Sequence, residues 1–304
     1  MTNTVAPVPE DVVVIGGSYA GMSAALQLAR ARRSVVIIDH EQPRNRIASR
    51  AHGCLGWDGC SPGDLLHTAR RQLEAYGSVR WVTDEAVGAQ GSVDRGFQVI
   101  CASGRLVSAH RLILAHGVVD QLPDVPGLKE RWGKGVLHCP YCHGYELCGG
   151  PLGLLVAPDD EALAQAKALQ QWGHVTVFHR GDQGEQALDA LQAGLRGTGA
   201  TLERSPLLSV SGDSTADLAD GRRTALRALF LHPETVLGSP IAHQLGCRTE
   251  AAGCISTDSA KQTTVEGVFA CGDAARFAGN IALAIGEGAL AGVAAHRSLL
   301  GLLE

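Results

Sequence analysis

Residues 11–40 read "DVVVIGGSYAGMSAALQLARARRSVVIIDH". An apolar run meets a Gly-rich turn, an Ala-rich stretch of helical pattern follows, and a second apolar run ends in Asp39; the order predicts a βαβ unit with parallel strands. Gly16 and Gly21 stand at the outer positions of a G-x-G-x-x-G turn. Such a turn suits a dinucleotide: the first glycine allows the tight turn and the last lets helix and strand approach. The helix N-terminus then faces a pyrophosphate, and an acid at the end of the next strand, here Asp39, accepts from ribose hydroxyls. Ser18 replaces the middle glycine and puts a Cβ where phosphate and backbone come closest, although its hydroxyl can still donate. Glycine also serves purely steric ends in such turns. Turn, helix, strand and Asp39 together favour nucleotide binding.

Outward from this unit, strands are predicted at Arg111–Gly117, Pro151–Ala157, His174–Arg180 and Gly267–Asp273, with a helix over Asp159–Gly173. A second βαβ unit therefore occupies the middle, and the Pro- and Gly-rich "LPDVPGL" (Leu122–Leu128) marks a crossover between domains. A chain of 304 residues exceeds the usual single core, which predicts two domains. We expect residues 1–117 and 229–304 to form one and residues 118–228 the other.

The net charge of -5 offers no electrostatic case for nucleic acid or a membrane surface. No window is long and apolar enough to span a bilayer, and the N-terminus lacks a basic stretch followed by an apolar signal core, so cytoplasmic residence is the expectation. Nine cysteines, an odd number without an export signal, argue against a disulfide framework and leave some free for redox or metal chemistry.

The far end, residues 263–292, reads "TTVEGVFACGDAARFAGNIALAIGEGALAG". The pattern T-x-x-x-G-V-F-A-x-G-D followed by a helix resembles the second FAD fingerprint of flavoproteins with two dinucleotide domains. By that resemblance Asp273 binds the ribityl or pyrophosphate region. The helix starting near Asn280 and Ile281 aims its positive end at the flavin pyrimidine, where it would stabilise an anionic reduced flavin.

Between the two βαβ units lies "HCPYCHGYE", His138–Glu146. Pro140 suits the first position of a helix, which puts Cys139 at a helix N-terminus. With His138 or His143 nearby to take a proton, the thiol is biased toward thiolate. Zinc is disfavoured because adjacent His-Cys and Cys-His pairs do not converge on one tetrahedral centre and no second C-x-x-C completes a set. CPYC is also a glutaredoxin-type sequence, but that fold places it close to the start of a small domain after one strand, which is not the context here; an inert buried pair stays open, though the flanking polar residues count against it.

Turn, mid-chain CxxC, "LILAHG" in place of a strand ending in Ala-Thr-Gly, and "GVFACGD" together resemble the low-molecular-weight thioredoxin reductases. The resemblance covers nearly the whole chain. It implies an α/β fold of two Rossmann-like three-layer domains, FAD as cofactor, and a homodimer. It also implies that Cys142 meets the flavin and Cys139 meets substrate. Cofactor contacts would come from Gly16, Ser18, Ala20, Gly21, Asp39, His40, Arg46, His52, Ala115, Gly117, Gly272, Asp273, Asn280 and Ile281. Cys54 and Cys60 in "HGCLGWDGC" are close enough to pair but are expected to line or cover a flavin-facing loop, and Cys101, Cys148, Cys247, Cys254 and Cys271 are expected to be structural.

The middle domain departs from that family. Its strand-to-helix turn runs Pro158-Asp159-Asp160-Glu161, with no glycine at the point of closest approach and carboxylates at the end that would hold an anion. His179 and Arg180 are the contrary feature, at the strand end where the family binds the NADP 2'-phosphate. His143 stands where the reductases carry an aspartate. "CPYCHGYE", with "LPDVPGL" and "WGKGVLHC" before it, is similar to the branch of flavin-dependent dithiol oxidases that close disulfides in natural products of the gliotoxin and holomycin kind. That resemblance implies electron flow from a small dithiol through the CxxC and FAD to O2, giving H2O2 without NADPH, with His143 or His138 as general base. The alternatives are a disulfide reductase acting on a thioredoxin-like protein and fed by NADPH or ferredoxin, and a non-catalytic flavin- or zinc-binding module.

Overall fold

The structure is a computed structural model, and it describes residues 8–156, 160–276 and 279–303. Ala157, Pro158 and Asp159, on which part of the strand and helix expectations fall, lie outside the described residues, as do residues 1–7. The chain divides into two compact units. One comprises Met1–Arg46, Gly53–Val119 and Thr235–Glu304, the other Ile47–His52 and Asp120–Glu234.

The first unit opens with β1 (Glu10–Ile15), α1 (Tyr19–Arg30) and β2 (Val35–Asp39), the expected βαβ, followed by α2 (Pro62–Glu74), β3 (Val79–Thr83), β4 (Ala86–Ser92), β5 (Gly96–Cys101) and β6 (Leu106–Leu114). The sheet order is β3-β2-β1-β6-β5-β4, with β1, β2, β3 and β6 parallel and β4 and β5 antiparallel. Alternation along β1 sends Val12 and Val14 to one face and Val13 and Ile15 to the other. All four are buried, so the sheet carries a core on both faces. The chain passes from β1 to β2 on one side and to β6 on the other, so the ends of β1 and β6 form a topological switch point, where open α/β sheets bind ligands.

The second unit follows a crossover strand β7 (Val118–Gln121) and contains α3 (Leu128–Arg131), β8 (Val136–Leu137), α4 (Pro140–His143), β9 (Pro151–Leu155), α5 (Asp160–Leu169), β10 (His174–Phe178), α6 (Glu185–Gly194) and β11 (Thr201–Leu202). A small antiparallel sheet follows, β12 (Leu207–Ser211), β13 (Thr215–Leu218) and β14 (Arg223–Ala225), and then β15 (Ala228–Leu231). The main sheet is parallel throughout, in the order β11-β10-β9-β15-β8, and its switch point lies between β9 and β15. β15 is therefore a central strand of this unit and not of the first. The return crossover falls between residues 234 and 235 instead of at 229, and Ile47–His52 also groups with the second unit.

The chain re-enters the first unit through β16 (Glu234–Leu237), which pairs with β7, then α7 (Ile241–Gln244), β17 (Val268–Ala270) beside β6, and α8 (Ile281–Leu299). The long α8 lies directly on α1. A Cβ at Gly288 would come within 2.1 Å of the Ala20 carbonyl oxygen, and one at Gly292 within 2.4 Å of that of Ala24. Among the described residues no helix is long and apolar enough to cross a membrane.

Candidate active site

Two arrangements carry the chemistry, one in each unit. In the second unit, α4 is a single turn with Pro140 at its first position and Cys139 as its extended N-cap residue. Proline loses nothing there, because the first N–H of a helix has no partner in the helix. Cys139 and Cys142 are joined by a disulfide, with Cα atoms 5.3 Å apart. The Gly144 N–H donates to the Pro140 carbonyl at 2.7 Å. A Cβ at Gly144 would sit 2.5 Å from the Trp172 ring, so only glycine lets α4 lie against it. Tyr141, between the cysteines, is edge-on to Trp172 with ring centroids 5.2 Å apart. A cleft of about 400 Å³, lined by Gly144, Tyr145, Gln170, Trp172 and His174, opens beside this turn.

His143 ends α4. Burial pushes its imidazole below the ordinary histidine range; nearby Glu146 opposes the shift and His52 adds to it. The ring is thus neutral at pH 7 and able to take a proton. His52 Nε2 lies 3.5 Å from Glu146 Oε1, so this histidine, expected among the cofactor residues, stands with the redox turn. The His138 ring packs edge-on against His232, with centroids 4.4 Å apart.

In the first unit the Gly-rich turn has the geometry its sequence demands. Gly16 has φ +103°, and a Cβ there would lie 2.3 Å from the Ala115 carbonyl oxygen; one at Gly21 would lie 1.9 Å from that of Gly16. The Gly17 N–H donates to Asp39 Oδ1 at 3.0 Å, leaving the second carboxylate oxygen for other partners. Ser18 is the N-cap of α1 but makes no capping hydrogen bond with its side chain, and Ala20 is buried beneath the turn.

Among the described residues, three buried polar atoms around this turn have no hydrogen-bond partner: Trp81 Nε1, Asn45 Oδ1 and His116 Nε2. Trp81 would be 2.6 Å from a Cβ on Gly17, Asn45 donates to the Tyr19 hydroxyl at 3.0 Å, and the His116 Cα would be 3.0 Å from a Cβ on Gly16. One donor and two acceptors, each costly to bury unmatched, fit a polar ligand seated on the turn. His116 Nδ1 donates to the Gly117 carbonyl at 3.1 Å, which leaves Nε2 as the bare acceptor, and burial pushes the ring down to about 4.

At the far end of the same unit, Gly272 has φ +66° and its N–H donates to Glu287 Oε2 at 3.2 Å. Glu287 is 4% exposed and receives Lys261 Nζ and Arg276 Nε on its other oxygen, both at 2.7 Å. Asp273 pairs with Arg44 at 2.8 Å. Asn280 caps α8 by accepting the Leu283 N–H at 2.8 Å, and Ile281 begins the helix, as the sequence predicts. This set fits FAD: Asp39 and the α1 N-terminus for the adenosine diphosphate half, Asp273 and the α8 N-terminus for the flavin half. Arg44, Lys261 and Glu287 escaped sequence reading. Of the expected contacts, Arg46 donates to the Pro43 carbonyl at 3.3 Å, and His40 is exposed. Gly117 has φ +64°, a conformation that favours glycine.

Of the cysteines outside the disulfide, four are buried. Burial pushes the Cys54, Cys101 and Cys247 thiols up, and complete burial takes Cys271 to about 12. Cys148, expected to be structural, is exposed at φ +55°.

The second βαβ unit is built differently at the corresponding points. The Glu161 side chain, in the first turn of α5, accepts from Gln165 at 3.3 Å. His179 is 2% exposed; its Nδ1 accepts the Gly181 N–H and its Nε2 lies 3.0 Å from the Arg204 carbonyl. Arg180 pairs with Asp182 at 2.9 Å.

Residues 10–294 match the family described as pyridine nucleotide-disulphide oxidoreductase. The chain is 31% identical over 310 residues to thioredoxin reductase sirT of Leptosphaeria maculans, covering 96% of this chain and 94% of that protein. Among solved structures it is similar to an oxidoreductase from Agrobacterium tumefaciens, with TM-score 0.91 and 46% identity over 97% of this chain and 99% of the other. It is also similar to HlmI, with TM-score 0.87 and 34% identity over 97% and 93% of the two chains.

Proposed function

The chain belongs to the pyridine nucleotide-disulphide oxidoreductase family, and we propose that within it the protein is a dithiol oxidase that closes a disulfide in a small molecule or peptide and passes the electrons to O2. At the coarser level it is an FAD-dependent, thioredoxin-reductase-like disulfide oxidoreductase.

The observation that carries the direction of electron flow is the state of the second nucleotide-like unit. The basic pair at the end of β10 is already engaged. The Gly181 N–H donates to His179 Nδ1, His179 Nε2 lies 3.0 Å from the Arg204 carbonyl, and Arg180 faces Asp182. A carboxylate stands in the first turn of α5, where the positive helix end would otherwise meet phosphate. These features disfavour NADPH as donor and leave a thiol as the source of electrons.

The chemistry follows from the residues of the redox turn. A substrate thiolate attacks Sγ of Cys139, the Cys139–Cys142 bond breaks, and Cys142 leaves as thiolate. The second substrate thiol gives its proton to His143 and attacks the substrate sulfur of the mixed disulfide. The bond from that sulfur to Cys139 breaks, Cys139 leaves as thiolate, substrate is released with a new S–S bond, and the electron pair stays on the two cysteines. FAD, when bound, supplies the acceptor for that pair and its transfer to O2, giving H2O2.

The second reading is a reductase of a disulfide substrate, favoured by relatives that carry the name thioredoxin reductase. The test is anaerobic stopped-flow flavin reduction by a small dithiol and by NADPH. A dithiol oxidase is reduced by the dithiol alone, and a reductase by NADPH.

A further inference from the structure

Glu287 of α8 is a buried carboxylate that the steps above do not use, and among the described residues no other aspartate or glutamate is as fully buried. Its Oε1 receives two cations, Lys261 Nζ at 2.7 Å and Arg276 Nη2 at 2.6 Å. Its Oε2 accepts the backbone N–H of Gly272 at 3.2 Å. A carboxylate is costly to bury, and an apolar side chain would fill the same place without that cost. What the acid adds is an acceptor, oriented by two cations, for one N–H of a turn. Gly272 opens the short turn Gly272–Ala274 and precedes Asp273; a Cβ on it would lie 2.8 Å from the Ala20 Cβ, in the first turn of α1. Gly288, the residue after Glu287, stands against the Ala20 carbonyl oxygen, which a Cβ would approach within 2.1 Å. Consecutive residues of α8 therefore touch both halves of the cofactor site, Glu287 at the flavin-end turn and Gly288 at the adenosine-end turn.

We propose that Glu287 is the positioning residue for the flavin half of the FAD site: it fixes Asp273 through the Gly272 N–H and ties that half to the α1 turn. The ion pairs with Lys261 and Arg276 orient the carboxylate, and the bond to Gly272 is the contact through which it acts. The inference rests on FAD as the cofactor and is independent of the direction in which electrons flow. Without the bond, the Gly272–Asp273 turn relaxes to give its N–H another partner, and FAD must undo that relaxation to bind. The adenosine half, on Gly16, Gly21 and Asp39, stays as it is. A ligand that carries only that half, such as ADP, therefore does not sense the change.

The test displaces FAD from the holoprotein with ADP, followed by flavin fluorescence. Two double variants are compared with the wild type, Lys261→Met with Glu287→Gln and Lys261→Met with Glu287→Leu. Both remove the buried Lys261–Glu287 pair, and they differ in whether an acceptor faces Gly272; the melting temperature of the ADP-loaded proteins checks the fold. The leucine variant should release half of its FAD at about one-tenth of the ADP concentration the wild type needs, the effect of one buried N–H left unmatched. The glutamine variant, which keeps the acceptor, should stay within about twofold of the wild type. An equal ADP requirement in all three proteins, or the same fall in both variants, would overturn the proposal. A second measurement needs no variant: in the ADP-loaded wild type the Gly272 amide should exchange with deuterium as slowly as in the FAD holoprotein, because Glu287 and not the flavin holds it. Exchange there at the rate of an open amide would overturn the proposal. A purified chain that binds no FAD would overturn the cofactor reading as well.

Discussion

His179 Nδ1 accepts the backbone N–H of Gly181 across 3.1 Å. With Nε2 3.0 Å from the Arg204 carbonyl, both ring nitrogens are engaged within the unit, which makes this buried histidine a strut between β10 and the following loop rather than a contact for a phosphate. Titration with NADPH is therefore expected to show no saturable binding at micromolar concentration. Freeing the neighbouring arginine with Asp182→Asn should not create it, because an exposed ion pair holds Arg180 by less than about 1 kcal/mol and its release leaves the His179 ring engaged by the Gly181 N–H and the Arg204 carbonyl. Low-micromolar binding to the wild type would contradict this.

Cys139 at the N-cap of α4 and Cys142 inside the turn have separable roles. Cys142→Ser should lose dithiol turnover by at least about 1000-fold yet form a stable mixed disulfide between Cys139 and a substrate thiol supplied as an activated disulfide, visible as added mass. Cys139→Ser should lose turnover equally and hold no adduct at that position. An adduct on Cys142 instead would reverse the assignment.

His143 is held below the ordinary histidine range chiefly by burial, with Glu146 opposing. The dithiol-dependent rate should accordingly stay flat as pH falls through 6.5 and decline only at more acid pH. His143→Gln should cost about 100-fold. Glu146→Gln removes the charge that favours the imidazolium, so the acid limb should move to lower pH; movement to higher pH would refute Glu146's part in the site.

His116 gives the folded state a pH dependence of definite sign. Its folded value is about 4, and an unfolded histidine titrates near 6.5. As pH falls from 6.5 toward 4 the unfolded chain takes up a proton that the folded ring refuses, so stability is lost across that window, by up to about 3 kcal/mol. Urea unfolding of the holoprotein at pH 7 and pH 4.5 should show His116→Asn losing about 2 kcal/mol less than wild type. Equal losses would show that Nε2 is not held neutral.

Features set by local pattern were legible in the sequence. Gly16, Gly21 and the period of residues 19–30 gave the first βαβ; Pro140 gave the turn that holds Cys139; Asn280 gave the cap of α8. Features set by sheet register were not. "ALFL" at 228–231 is apolar enough for either sheet, and only its pairing with β9 and β8 assigns it to the second. The same pairing brings together His138 and His232, nearly a hundred positions apart, a distance no motif spans. Arg44 beside Asp273, and Lys261 and Arg276 around the buried Glu287, are likewise ion pairs whose partners come from different elements. His52 was placed by resemblance with the cofactor residues, but its segment folds with the redox turn.

The most direct test of the account is single-turnover flavin reduction without oxygen, followed by admission of air. A small dithiol is predicted to bleach the flavin within a single exponential phase, NADPH at micromolar concentration to leave it oxidised, and air to restore the colour with one H2O2 formed per flavin. Rapid bleaching by NADPH, with none by any dithiol tested, would contradict it.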